Sequence, residues 1–275
     1  MTITPLVIVG SESSLRSESL RALSSQVDAV YFSGRGIDFV QRLEDHIDYT
    51  LLSINLGRSL SQAETSCSLA HKKALSTAHS LALTDPLLDW VLVVEDDADI
   101  DLAKFQTVSD ELGDFNVDGA ALVSYYVPQD LNKFGNRTHS ATTFLFKRTR
   151  LWIPGAVAYA INRAAILALA PYIRLPVDST PDWPVYFQRV QRFLAVRTQI
   201  NESGKPTTLG NRTRMPISKR ARLHFRQFTN LEQVAKTNGV TRRAVLNHLF
   251  VTPALRDART LFLRLPAALR GDRRT

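Results

Sequence analysis

Short apolar runs separated by longer, more polar stretches set the first picture of the chain. Leu6-Val7-Ile8-Val9 predicts a strand, and the polar segment from about Ser14 to Ser25 predicts a helix after it. Ala29-Val30-Tyr31-Phe32 and Thr50-Leu51-Leu52-Ser53-Ile54 read as further strands. Trp90-Val91-Leu92-Val93-Val94 is an unbroken apolar run, the pattern of a strand buried on both faces. Ala120-Ala121-Leu122-Val123, Thr143-Phe144-Leu145-Phe146 and Ala156-Val157-Ala158-Tyr159-Ala160-Ile161 continue the series. Strands alternating with helices predict an α/β domain with a mostly parallel sheet.

One helix is punctuated at both ends. Ser61-Gln62-Ala63-Glu64 has the spacing of a capping box, with Ser61 as N-cap and Glu64 three residues on. Cys67, Ala70, Ala74, Leu75, Ala78 and Leu81 follow at helical spacing and give a narrow face of small residues. Asp85-Pro86 ends the helix before the Trp90 run. His71 sits one turn beyond Cys67, facing inward or at the edge of the packed face.

Composition changes this picture little, but charge does. The chain has 275 residues, 44% hydrophobic and 22% charged, enough for a full core and ordinary for a globular protein. A single cysteine, Cys67, excludes a disulfide framework and a zinc site built from cysteines, and reads as a small core residue. No signal peptide and no bilayer-length apolar run is visible, which predicts a cytoplasmic protein. Of the 34 Lys/Arg residues, fifteen fall from Asn211 onward, against three of the 26 Asp/Glu. A near-neutral to acidic body thus precedes a basic end, and such an end calls for an anionic partner.

Candidate chemistry lies after the Trp90 run, where Glu95, Asp96 and Asp97 are followed by Asp99 and Asp101. Ligands of parallel α/β sheets bind outside the carboxyl ends of the strands. Three adjacent carboxylates there repel one another unless a cation or hydrogen-bond donors offset the charge. A divalent Mg²⁺ or Mn²⁺ ion suits such oxygens and keeps positions for phosphate. A solvated acidic junction is the plainer alternative. A response-regulator reading of the same string needs an acceptor aspartate at a later strand end, and the corresponding stretch, Arg137 to Thr142, has none.

Five elements, in order, resemble glycosyltransferase family 25, the bacterial lipopolysaccharide and capsule sugar transferases. They are Glu64-Thr65-Ser66-Cys67-Ser68-Leu69-Ala70-His71; Leu92-Val93-Val94-Glu95-Asp96-Asp97; Gly155 through Arg163 with Ala165; Val177-Asp178 with Pro181-Asp182-Trp183-Pro184; and Thr207-Thr208-Leu209-Gly210-Asn211-Arg212. Two departures stand out. Val9-Gly10-Ser11-Glu12 and a lone Arg16 replace an Asn-Leu and arginine-rich turn, and Ala70 replaces the serine before the histidine.

The resemblance implies a GT-A-like, Rossmann-type nucleotide-sugar-binding domain over residues 1–214. It implies inverting transfer of a hexose or N-acetylhexosamine from a nucleotide sugar, a UDP-sugar by preference, to a lipopolysaccharide, capsule or lipid-linked glycan. Carried over residue by residue, Glu95 and Asp97 hold the metal, while Glu64, His71, Asp96 and Arg212 contact the donor. Inversion needs a base opposite the leaving group. Asp182 beside Trp183 fits that role, and fits equally as a helix N-cap ahead of Pro184.

Residues 215–275 form a basic, helical extension with two readings. Ala235, Gly239, Val240, Thr241, Val245 and Leu249 fall where a helix-turn-helix wants a small residue, a turn glycine and core positions, with Arg242 and Arg243 opening a recognition helix. The same pattern serves as a helical hairpin covering the catalytic body, and this is the preferred reading, with nucleic acid the alternative partner. From Ala254 to Arg270, leucines and arginines mix as in segments that lie on anionic membrane, which fits a peripheral site on the inner face of the plasma membrane.

Overall fold

The computed structural model describes residues 4–34, 47–56, 60–117, 121–125, 136–137, 143–147, 156–173, 177, 185–189, 192–196, 200–202 and 229–249. It is a mixed α/β structure. Strands β1 (Leu6–Val9), β2 (Val30–Phe32) and β3 (Trp90–Glu95) form a parallel half-sheet with β1 in the middle. A short antiparallel pair joins β4 (Ala98–Asp99) to β10 (Asn201–Glu202). Beyond β3 the sheet continues through β8 (Ala158–Asn162), β5 (Leu122–Ser124), β9 (Arg192–Val196), β7 (Thr143–Lys147) and β6 (Asn136–Arg137). There the pairing is mixed, because β8 runs antiparallel to both β3 and β5, while β5 and β9 are parallel.

Helices cover both faces, which is why the apolar runs are continuous rather than alternating. Val7, Val9, Val91, Val93, Tyr159 and Ile161 pack on one side with α3 (Gln62–Thr84) and α5 (Arg163–Ile173). Leu6, Ile8, Leu92, Val94, Ala158 and Ala160 face the other side, with α1 (Glu18–Ser24) and α4 (Leu102–Val117). Each fully buried Val or Leu contributes about 1.5–3 kcal/mol, against about 0–1 for a surface ion pair. The helix–sheet layers, rather than surface charge, therefore hold the strand ends in place.

Local chemistry sets the helix limits. Ser61 and Glu64 form the expected capping box of α3, with Ser61 N–H donating to Glu64 Oε2 at 3.0 Å and Glu64 N–H to Ser61 Oγ at 3.2 Å. Ala74, Ala78 and Ala82 on α3 are fully buried and let it lie close on the sheet and α5. Asn162 Oδ1 accepts from Ala165 N–H at 2.8 Å and starts α5. Asp101 does the same for α4, accepting from Lys104 N–H at 2.8 Å. One expectation is corrected here: the run from Thr50 to Ile54 is not a strand but part of helix α2 (Tyr49–Leu56). Asp48 turns it, its carboxylate accepting from Leu51 N–H and its carbonyl from Leu52 N–H, both at 2.8 Å. A short apolar run satisfies strand and buried helix alike, and the cap decides.

The C-terminal hairpin pairs α6 (Leu231–Thr237) with α7 (Arg242–Leu249) around Val234, Ala235 and Val245, with Leu51 of α2 packed against them. Its turn residue Gly239 has φ +57° and lies against Arg189 and Tyr172 of the main body. Arg189 Nη1 donates to the Gly239 carbonyl at 2.5 Å and to Tyr172 Oη at 3.1 Å, and its guanidinium stacks 4.9 Å over the Tyr172 ring. The hairpin is thus seated on the α/β body. Arg242 and Arg243 at its outer helix start are exposed, and Arg242 pairs with Glu232 at 2.7 Å. Among the described residues, no helix is long and apolar enough to cross a membrane.

Candidate functional site

Strand order reverses between β1, which leads on to β2, and β3, which leads across β8 to β5. The carboxyl ends of two such neighbouring parallel strands are where α/β sheets place ligands. Here the end of β1 is Gly10 and the end of β3 is Glu95-Asp96-Asp97. The two ends are tied together by the main chain. The Asp96 carbonyl accepts from Arg16 N–H at 2.9 Å and from Ser17 N–H at 3.3 Å, immediately before α1.

Gly10 makes this approach possible. Its φ of +140° is a conformation side chains rarely adopt, and a Cβ there would lie 2.7 Å from Ser14 Oγ and 3.3 Å from Asp96 Cβ. Its N–H donates to Ser33 Oγ at 3.0 Å, and its carbonyl accepts from Gly34 N–H at 2.8 Å. Gly10→Ala should therefore cost on the order of 1–3 kcal/mol in urea unfolding. Gly113→Ala, in an open stretch of α4 with nothing within 4 Å of the new Cβ, should instead stabilise by about 0.5–1 kcal/mol. Equal effects of the two would remove the steric argument for Gly10.

The acidic cluster divides between two partners. Arg16 Nε and Nη2 donate to Asp96 Oδ1 at 3.1 and 2.5 Å, and Nη2 also reaches Asp97 Oδ2 at 2.9 Å. Burial works against the Arg16 charge, but the bond to Asp96 and the fields of Asp96, Asp97 and Glu95 outweigh it, so the guanidinium is held firmly protonated. Asp97 is buried at 5% exposure. Glu95 turns the other way, its Oε1 lying 3.1 Å from His71 Nε2. His71 is itself 3% exposed and stacks on the buried Tyr159, ring centroids 6.2 Å apart at 18°. Burial first, and then the fields of Glu95 and Cys67, push the Tyr159 hydroxyl far above its ordinary range, so it stays a neutral phenol.

Cys67, His71 and Glu95 lie close enough together to hold a metal ion, their donor atoms all within 4.8 Å of one another. Asp97 is not part of that group. The remaining acids have structural partners. Asp99 accepts from Ser19 Oγ at 2.8 Å and from Lys104 Nζ at 3.2 Å, and these two bonds hold its carboxyl below the usual range. Asp101 caps α4.

Of the residues singled out by sequence, the structure joins Glu95 to His71 and sets Asp96 and Asp97 on Arg16, both at the end of β3. Glu64 lies two turns before His71 on α3, engaged in the capping box. Asp182 and Arg212 lie outside the described residues, as do the 214/215 boundary and the 254–270 segment. Arg16, which meets Asp96 across 80 positions, carries no signal in the sequence, and Cys67, small and on a helix face, reads there as core. The i, i+4 spacing of Cys67 and His71 was the one signal available for the thiol. An open depression of about 550 Å³ beside Arg21, Val27 and Phe32 touches none of these residues.

No family model matches the chain, and no curated protein matches it. Among solved structures, the crystal structure of A197 from STIV is similar at 15% identity and a TM-score of 0.38, covering 71% of this chain and 82% of that one. A likeness of that degree carries no argument about fold or function.

Proposed function

We propose that the chain is an inverting glycosyltransferase with a GT-A-like domain. In this reading it moves a hexose or N-acetylhexosamine from a nucleotide sugar, a UDP-sugar by preference, to a lipopolysaccharide, capsule or lipid-linked glycan. The observation that supports it is the carboxylate cluster at the end of β3, beside the Gly10 turn of β1 and at the reversal of strand order. Arg16 offsets one of the three carboxylate charges of Glu95, Asp96 and Asp97. In this reading Glu95 and Asp97 would supply oxygen ligands to a hard divalent ion, Mn²⁺ or Mg²⁺, although Glu95 is engaged by His71 and Asp97 by Arg16 in the structure. When bound, that ion neutralises charge on a diphosphate leaving group.

The chain's own residues supply the rest. Arg16 fixes Asp96 and Asp97 in place at the end of β3 and keeps the cluster from carrying three uncompensated charges. His71 orients Glu95 and is itself fixed by the Tyr159 ring. Gly10 lets the end of β1 pack directly against Asp96 and Ser14, which fixes the cluster beside it. Asp182 takes the acceptor proton.

Calorimetry with a panel of nucleotide sugars tests the reading. Donor binding should appear with Mn²⁺, vanish with chelator, and fall at least tenfold in Asp97→Asn, which also loses the Arg16 partner. A donor affinity indifferent to both would overturn the metal assignment, and no binding to any nucleotide sugar would overturn the function.

A further inference from the structure

We infer that Cys67, His71 and Glu95 form a metal centre of their own, one that takes a zinc-class ion through a thiolate, an imidazole nitrogen and a carboxylate oxygen. The proposal goes beyond the nucleotide-sugar reading and competes with it for one group, since it gives the Glu95 carboxylate to this ion. The three donors come from two rigid elements. Cys67 and His71 stand one turn apart on α3, and Glu95 ends β3 against which that helix packs. Their donor atoms fall within 4.8 Å of one another. Bond lengths of about 2.0–2.3 Å put tetrahedral ligands about 3.5 Å apart, so closure needs shifts of about 1 Å. Cys67 and Glu95, both half-buried, have side-chain rotations to supply them.

The imidazole carries the second observation. His71 is buried, yet Nδ1 has no hydrogen-bond partner among the described residues, while Nε2 faces Glu95. Nε2, which faces Glu95, is the nitrogen that would take the ion, leaving Nδ1 to carry the ring proton. Tyr159 stacks beneath and fixes the plane of the ring. Donor chemistry then selects the ion. One sulfur, one nitrogen and one oxygen suit Zn²⁺, whereas Mg²⁺ and Mn²⁺ prefer oxygen alone. Three protein ligands, two of them only half-buried, leave a fourth position open toward solvent, the arrangement of zinc sites that bind or polarise a ligand. On binding, the Cys67 thiol gives its proton to solvent and the sulfur–metal bond forms, with no change of oxidation state.

Cobalt(II) added to the intact full-length chain is the probe, because a thiolate on Co²⁺ gives a near-ultraviolet charge-transfer band. The expected result is one equivalent of Co²⁺ per chain with that band, displaced by Zn²⁺. Cys67→Ser and Cys67→Ala should both abolish the band and weaken binding by more than the 10- to 100-fold of a lost outer-sphere partner, with circular dichroism and Tm showing that both remain folded. Asp97→Asn should keep it. Absence of the band in the wild-type chain would overturn the proposal. So would a band that survives in Cys67→Ser, or Co²⁺ binding without a thiolate band that is lost in Asp97→Asn, which would assign the ion to the carboxylates. Because no donor is present, failure of the glycosyltransferase reading leaves this outcome unaffected.

Discussion

Arg16→Met should lower the melting temperature by roughly 6–12 °C, the largest loss expected from any single change at the site. Asp97 is 5% exposed, and its Oδ2 rests on the Arg16 guanidinium at 2.9 Å. Removing the cation takes the counter-charge from a buried carboxylate, and breaking such a pair costs about 3 kcal/mol when one partner retains some contact with water. The apolar stem of methionine keeps the packing, so the loss reports charge rather than volume. Two companions make the cause visible. Arg16→Met combined with Asp97→Asn should recover much of the loss, because a carboxamide needs no counter-charge. Arg16→Lys should recover little, because an ammonium cannot span Asp96 and Asp97 as the planar guanidinium does. Calorimetric unfolding of the four proteins measures all of this, and a melting temperature unmoved in Arg16→Met would mean that the pair contributes nothing.

Asp182→Asn should cut turnover by something like a hundred- to ten-thousand-fold while leaving donor affinity nearly unchanged. A general base is needed in the transition state and not for holding the nucleotide, whose binding rests on the Glu95–Asp97 cluster. The competing role of Asp182 is an N-cap ahead of Pro184, and asparagine caps as well as aspartate. Steady-state kinetics with a separate donor titration divides the two. A near-normal rate would remove Asp182 from the mechanism and move attention to Asp178, four residues upstream.

What was legible in the sequence was what depends on neighbours along the chain. The capping box of Ser61 and Glu64, the stop at Asp85-Pro86 and the two-faced burial of Trp90–Val94 follow from local spacing, and the structure carries all three. Helix α2 was misread because Leu51, Leu52 and Ile54 satisfy either period, and only the Asp48 cap separates them. The site was legible by half. Glu95, Asp96 and Asp97 announce themselves as a run, but their partners do not. Arg16 reaches Asp96 across 80 positions, and His71 reaches Glu95 across 24, distances that only the pairing of β1 with β3 and the packing of α3 can close. Cys67 looked like core because a small residue on a packed helix face usually is.

Arg189 gives the chain an inseparability that its charge distribution conceals. Judged by acids and bases, the basic segment after residue 214 is an appendage that could be cut off or transplanted to another protein. Within it, the latch from Arg189 to Tyr172 and to the Gly239 carbonyl makes the hairpin of residues 229–249 a fitted part instead. A shortened chain would uncover Leu51 on α2 and leave the Arg189 guanidinium without its carbonyl. The same latch ties the turn of the hairpin to the body at Arg189.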